Sequence, residues 1–85
     1  MLAPDKRGEY LARARSSFEQ ALKLDPKNAG AVNGMGNVLF YERRFDEAIR
    51  RYEEAIKLAG GNYEEAAHDL GLAKRVKAGE VAFDP

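Results

Sequence analysis

Shifted against itself by 34 residues, the chain places Leu11, Ala14, Phe18, Ala21, Leu22 and Leu24 on Phe45, Ala48, Tyr52, Ala55, Ile56 and Leu58. Glu19 and Lys23 fall on Glu53 and Lys57 at the same offset, and a shift of 35 places Ala31, Met35 and Gly36 on Ala66, Leu70 and Gly71. A period of this size marks a stacked repeat, in which each unit is one supersecondary element that buries its apolar face only against its neighbours. Within each segment the apolar residues recur at spacings of three and four, the period of a helix. Two kinds of helix therefore alternate, in the order B, A, B, A. The expected fold is all-α, an antiparallel helix-turn-helix repeat forming a short α-solenoid of about four helices.

Local signals set the boundaries. Met1 to Gly8 holds Pro4 and Gly8 without periodicity and reads as a flexible lead-in over residues 1–8. A first helix is expected from Glu9 to Leu24, stopped at Asp25-Pro26 because proline disfavours helical geometry in the residue before it. Asn28 suits the N-cap of a second helix, Ala29 to Glu42, whose packed face is Val32, Met35, Gly36 and Leu39. Gly36 there has no side chain, so a neighbouring helix can come close. Arg43 and Arg44 make the turn into a third helix, with Asp46 and Glu47 at its positive end and pairings Asp46 to Arg50 and Glu47 to Arg51 at four-residue spacing. That helix buries Phe45, Ala48, Tyr52, Ala55 and Ile56 and ends at Gly60-Gly61. Asn62 with Glu65 reads as a capping box for a fourth helix, Tyr63 to Ala78, packed through Ala66, Ala67, Leu70 and Ala73. The helical domain thus spans residues 9–78, and residues 79–85 form a tail carrying Val81 and Phe83.

The segment 29–62 resembles a tetratricopeptide repeat. In that family helix A carries a large apolar residue, then Leu-Gly, then another large apolar residue, and helix B carries Ala, an aromatic and Ala, followed by Pro. Here those places hold Val32, Met35-Gly36, Leu39, Ala48, Tyr52 and Ala55, and Pro26 follows the preceding helix B. Gly60 stands where the central repeat's proline belongs. The resemblance implies one full repeat with a half repeat on each side.

Composition limits the chemistry. Eighty-five residues make one small domain, and about two repeats are fewer than the three or so such arrays generally need. With 14 basic and 14 acidic residues the chain carries no net field toward nucleic acid or anionic membrane, and zero cysteines exclude disulfides and zinc-thiolate sites. No apolar run approaches a membrane span, and a cytoplasmic protein is expected. His68 has no second histidine or cysteine to share a metal, GMG sits inside a helix rather than after a strand, and Ser16-Ser17 lack a nearby base. No catalytic role, cofactor or metal is expected. The Arg43-Arg44 and Arg50-Arg51 pairs alternate with acids and read as a solvated face.

Function then falls to a surface. At 100° per residue, Gly30, Asn33, Gly34, Asn37 and Tyr41 point away from the packed stripe of the second helix. Their equivalents 35 residues on are Glu65, His68, Asp69, Leu72 and Val76. In tetratricopeptide proteins this side of the A helices lines a concave groove that holds partner peptides. The resemblance implies a peptide-binding set of Asn33, Asn37, Tyr41, His68, Leu72 and Val76, with acids Glu65 and Asp69 on one wall and Gly30 and Gly34 leaving room for a backbone. The alternative is that Leu72 and Val76 are covered by the chain's own Val81 and Phe83. Family members that hold the acidic C-termini of heat-shock chaperones share a clamp of lysine, arginine and asparagine. Asn37 matches its asparagine, but Asn33 stands where lysine belongs and Glu65 and Asp69 repel a carboxylate, so no such binding is expected. A second expectation is self-association, a homo-oligomer in which two copies complete each other's half repeats.

Overall fold

The computed structural model describes residues 4–83 and over them contains four helices, α1 (Pro4–Leu24), α2 (Ala29–Tyr41), α3 (Phe45–Leu58) and α4 (Glu64–Lys77). Each packs on the next, and α2 also meets α4. The all-α repeat expected from the periodicity is what forms.

The central helix α2 is buried at every position from Ala31 to Phe40 except Asn37. Its sequence is apolar or small on all sides because it has neighbours on several of them. Asn28 caps it as expected, its side-chain oxygen accepting from the Ala31 N–H at 3.0 Å. Opposite, Ala48 and Ala55 of α3 and Ala66 and Ala73 of α4 are fully enclosed. Methyl-sized side chains at these four places let the helix backbones close on one another.

Two aromatic rings are seated on α2, one from each side. A Cβ built on Gly36 would lie 2.6 Å from the Tyr52 ring, and one built on Gly34 would lie 2.3 Å from the Phe18 ring. The Gly36 contact is the one the repeat pattern implies. Gly34 corrects the sequence reading, which put it on the open face: it is buried under the ring of the preceding helix. The reason is geometric. Phe18 and Tyr52 are equivalent residues of successive B helices, and each B helix needs a seat on the A helix beside it.

The C-terminal ends of α2, α3 and α4 share one device. After α2 the Arg44 N–H donates to the Leu39 carbonyl at 2.9 Å and the Arg43 N–H to Phe40 at 3.0 Å. After α3 Gly61 donates to Ile56 at 2.8 Å and Gly60 to Lys57 at 3.1 Å, and Glu80 and Gly79 repeat the pattern after α4. This Schellman arrangement requires a left-handed residue, supplied by Gly60 (φ 75°) and by Arg43 (φ 64°), a non-glycine residue in that conformation.

Several boundaries and pairings differ from expectation. Helix α1 starts at Pro4, so the last five residues of the expected lead-in are helical, proline being well suited to a first turn whose N–H groups have no partner. Met1 to Ala3 lie outside the described residues, as do Asp84 and Pro85 of the tail. Helix α4 starts at Glu64 with Tyr63 before it and no side-chain cap, so the Asn62 capping box does not form. The Tyr63 ring instead packs against the buried cluster of Val32, Ala55 and Ala66, a burial that compares well with a cap worth about 1 kcal/mol. Ala67 is exposed. The ion pairs of α3 are Arg44 to Glu47 at 2.8 Å and Arg51 to Glu54 at 3.1 Å, while Asp46 pairs with Lys77 of α4. Exposed pairs contribute little, so tertiary neighbours and small rotamer differences choose among them.

Candidate binding groove

The A helices α2 and α4 flank a groove of about 200 Å³. Asn37, Phe40 and Tyr41 of α2 form one wall, Glu65, Asp69 and Leu72 of α4 the other, and Tyr52 of α3 reaches it from beneath. The register follows from the repeat: Gly36 draws Tyr52 against α2, and Tyr52, 1 % exposed, extends its hydroxyl to Asn37. That hydroxyl donates to the Asn37 side-chain carbonyl at 2.6 Å. Burial pushes the Tyr52 hydroxyl well above the ordinary tyrosine range, and the carboxylate of Asp69 raises it further. The phenol therefore stays protonated and remains a donor to Asn37.

The structure divides the expected binding residues. Asn37, Tyr41 and Leu72 line the groove, and Tyr41 is 47 % exposed. Asn33 does not: it is 4 % exposed, and its Oδ1 is buried without a hydrogen-bond partner. His68 turns its side chain to solvent, 81 % exposed, and reaches only Asp69 at 3.7 Å. Val76 packs against the core cluster of Leu39, Phe40, Ala48, Tyr52 and Ala73. Gly30 stays open and exposed, with the Tyr63 hydroxyl 4.0 Å from its virtual Cβ. The face assigned to the groove is thus narrower than 100° steps imply, because α1 takes Gly34 and the interior takes Asn33.

The tail closes one end. Phe83 stands edge-on to Phe40 and Phe45, with centroids 5.1 and 5.4 Å away, and lies 6.4 Å from Tyr41. The Arg43 guanidinium sits over the Phe83 ring, 4.7 Å from its centroid. The alternative reading has Val81 and Phe83 cover Leu72 and Val76; the ring contacts of Phe83 are with Phe40, Phe45 and Tyr41, while Leu72 lines the groove. Two lining residues fall outside the sequence reading: Tyr52 is assigned there to the core alone, and Phe40, off both the packed stripe and the outward arc, is assigned to neither.

A second depression of about 430 Å³ lies over Met35 and Leu39 between Arg15, Arg44, Glu47, Arg50, Arg51 and Glu54. Its charges largely satisfy one another, through the two pairs of α3 and through Arg15 to Glu42. Among the described residues no group of three or more potential ligands could hold a metal ion, and no helix is long and apolar enough to cross a membrane.

Comparison with known proteins agrees with this geometry. The tetratricopeptide repeat family model matches residues 10–67, more than half of the chain, and the chain belongs to that family. It is 42% identical over 52 residues to the RNA polymerase-associated protein CTR9 of Caenorhabditis elegans, covering 56% of this chain and 4% of that protein. It is 40% identical over 55 residues to tetratricopeptide repeat protein 1 of Schizosaccharomyces pombe, 61% of this chain and 5% of that one. It is 40% identical over 52 residues to Hsp70-Hsp90 organizing protein 1 of Arabidopsis thaliana, 61% and 9% respectively. The chain therefore matches less than a tenth of each of these relatives. No solved structure matches it significantly. Repeats of this family are non-catalytic modules that mediate protein–protein interaction.

Proposed function

We propose that this domain is an interaction scaffold that holds a peptide segment of a partner protein in the groove between α2 and α4. The observation that carries this reading is the exposed Tyr41 ring beside Leu72 and Asn37, an aromatic and an aliphatic anchor next to an amide whose NH2 has no partner among the described residues. Aromatic anchors with a few convergent polar groups are the usual core of a peptide site. The Asn37 carbonyl is engaged by Tyr52, so this residue offers the peptide a donor, aimed at backbone carbonyls. Titration of candidate peptides against Tyr41→Ala and Leu72→Glu tests the reading. Loss of affinity in both is expected, and unchanged affinity in both removes the groove.

Self-association is the companion reading, favoured by two apolar side chains on α1: Tyr10 is 63 % exposed and Leu24 90 %. A second copy docked on this face would cover them. Light scattering across a hundredfold concentration range tests it: a mass that rises with concentration and falls back in Tyr10→Glu supports it, and a constant monomer mass eliminates it.

The resemblance to an Hsp70-Hsp90 organizing protein does not carry a chaperone partner to this chain. Glu65 and Asp69 stand on the groove wall, Asn33 is buried, and no lysine or arginine lines the groove, so an acidic peptide terminus finds no counter-charge there.

A further inference from the structure

The charged groups that line the groove are all anionic. Its lining includes two carboxylates, Glu65 and Asp69, and no cation. Glu65 has no ion-pair partner among the described residues, and Asp69 meets only the exposed His68 imidazole at 3.7 Å. Four acids elsewhere are paired, Glu42 with Arg15, Glu47 with Arg44, Glu54 with Arg51 and Asp46 with Lys77; others, Glu53 and Glu64 among them, stand exposed on open helix surface, so what sets Glu65 and Asp69 apart is their place on a groove wall. Of the two tyrosines that line the groove, Tyr52 commits its hydroxyl proton to Asn37. The Tyr41 hydroxyl and the Asn37 NH2 remain as donors, and neither carries charge.

Such a site is complementary to a ligand that brings positive charge and several N–H groups. Glu65 and Asp69 are four residues apart on α4, so their side chains stand on one face within a helical turn of each other. Leu72 follows three residues later, and Tyr41 faces this wall from α2. A long side chain with an apolar stem and a cationic head matches that order, the stem against Tyr41 and Leu72 and the head at the carboxylates. The second depression does not offer the same, since its two lining acids, Glu47 and Glu54, are already paired with Arg44 and Arg51.

We infer that the groove recognises a lysine or arginine side chain of its partner peptide, with Glu65 and Asp69 as the counter-charges. The inference rests on the reading of the groove as a peptide site, and the two fail separately. The test is a selection of random twelve-residue displayed peptides on the intact protein at low salt, followed by calorimetry of the recovered peptides. A recurrent lysine or arginine beside an apolar residue is expected. Replacing that residue by norleucine or citrulline should weaken binding about three- to tenfold, the range of one or two partly screened ion pairs. Glu65→Gln with Asp69→Asn should do the same, and combining the peptide and protein changes should cost little more than either alone. Affinity should also fall as salt is raised. Circular dichroism of the double variant, expected to match the parent, separates lost charge from lost fold. Peptides without a basic position, or with an acidic one, overturn the inference. So does an unaltered affinity in Glu65→Gln with Asp69→Asn. In either case the groove itself stands if Tyr41→Ala still abolishes binding. A selection that recovers no binder, or binders indifferent to Tyr41→Ala and Leu72→Glu, overturns both.

Discussion

Gly36 and Gly71 occupy equivalent places in successive A helices, yet adding one methyl to each should move stability in opposite directions. A Cβ on Gly36 would meet Tyr52 at 2.6 and 2.7 Å, while one on Gly71 would meet nothing within 4 Å. Both substitutions gain helix propensity, up to about 1 kcal/mol for glycine to alanine. At Gly36 the gain is opposed by overpacking of about 1–3 kcal/mol, because the Tyr52 ring is enclosed and tethered to Asn37 and has nowhere to withdraw. Gly36→Ala should therefore lose up to about 2 kcal/mol net, and Gly71→Ala should gain about 0.5–1 kcal/mol. For a domain of this size each kcal/mol shifts Tm by about 4–8 °C. Urea titrations followed by circular dichroism at 222 nm, run on both variants and the parent, give the difference directly. Gly34→Ala belongs in the series: its Cβ would lie 2.3 Å from Phe18, but that ring is only half-buried and can swing outward, so the loss should be smaller than at Gly36. Equal effects at Gly36 and Gly71 would refute the seating of Tyr52 on α2.

Three further outcomes follow from the same contacts. Tyr52→Phe should cost about 0.5–1.5 kcal/mol for the lost bond to Asn37. It should also flatten the alkaline limb of stability: the folded-state pKa of Tyr52 is raised well above the ordinary value of about 10, so its contribution is complete below that pH and begins to be lost as pH climbs past it toward the folded value, an onset that denaturation at pH 8 to 11 will show. At position 43, Arg43→Ala keeps the left-handed backbone and loses the guanidinium over Phe83, whereas Arg43→Gly loses the same contact and relieves roughly 1 kcal/mol of backbone cost. Arg43→Gly should therefore be the more stable of the two by thermal melt, and the reverse order would contradict the account of that turn. Phe83→Ala should lower stability by about 1–2 kcal/mol and, by uncovering Tyr41, should raise rather than reduce the affinity of a selected peptide.

The alternation of helices was legible because stacking forces small and large residues to recur at a fixed period, and the positions that carried the pattern, Gly36, Ala48, Tyr52 and Ala55, are the ones that interlock. The groove was legible only in part. Gly34 and Asn33 fall on the outward arc of an isolated helix, but α2 has a neighbour on that side too. The repeat offset of Phe18 onto Tyr52 held the clue, since it implies a second ring seeking a seat on α2. The failed capping box at Asn62 shows a local motif losing to the burial of Tyr63 one residue later. Exposed ion pairs on α3 followed tertiary neighbours such as Lys77, which no spacing rule along one helix includes. The docking of Phe83 had no periodic signal at all, only two large apolar residues, Val81 and Phe83, in a short tail.

The central claim, that the face between α2 and α4 is where a partner binds, is tested most directly by mapping backbone amide shifts when a selected peptide is added to the isotope-labelled protein. The account predicts shifts concentrated at Asn37, Tyr41, Glu65, Asp69 and Leu72, with α1 and the outer face of α3 unmoved. Shifts centred instead on Arg15, Arg44 and Arg51, or on the exposed end of α1 at Tyr10, would contradict it.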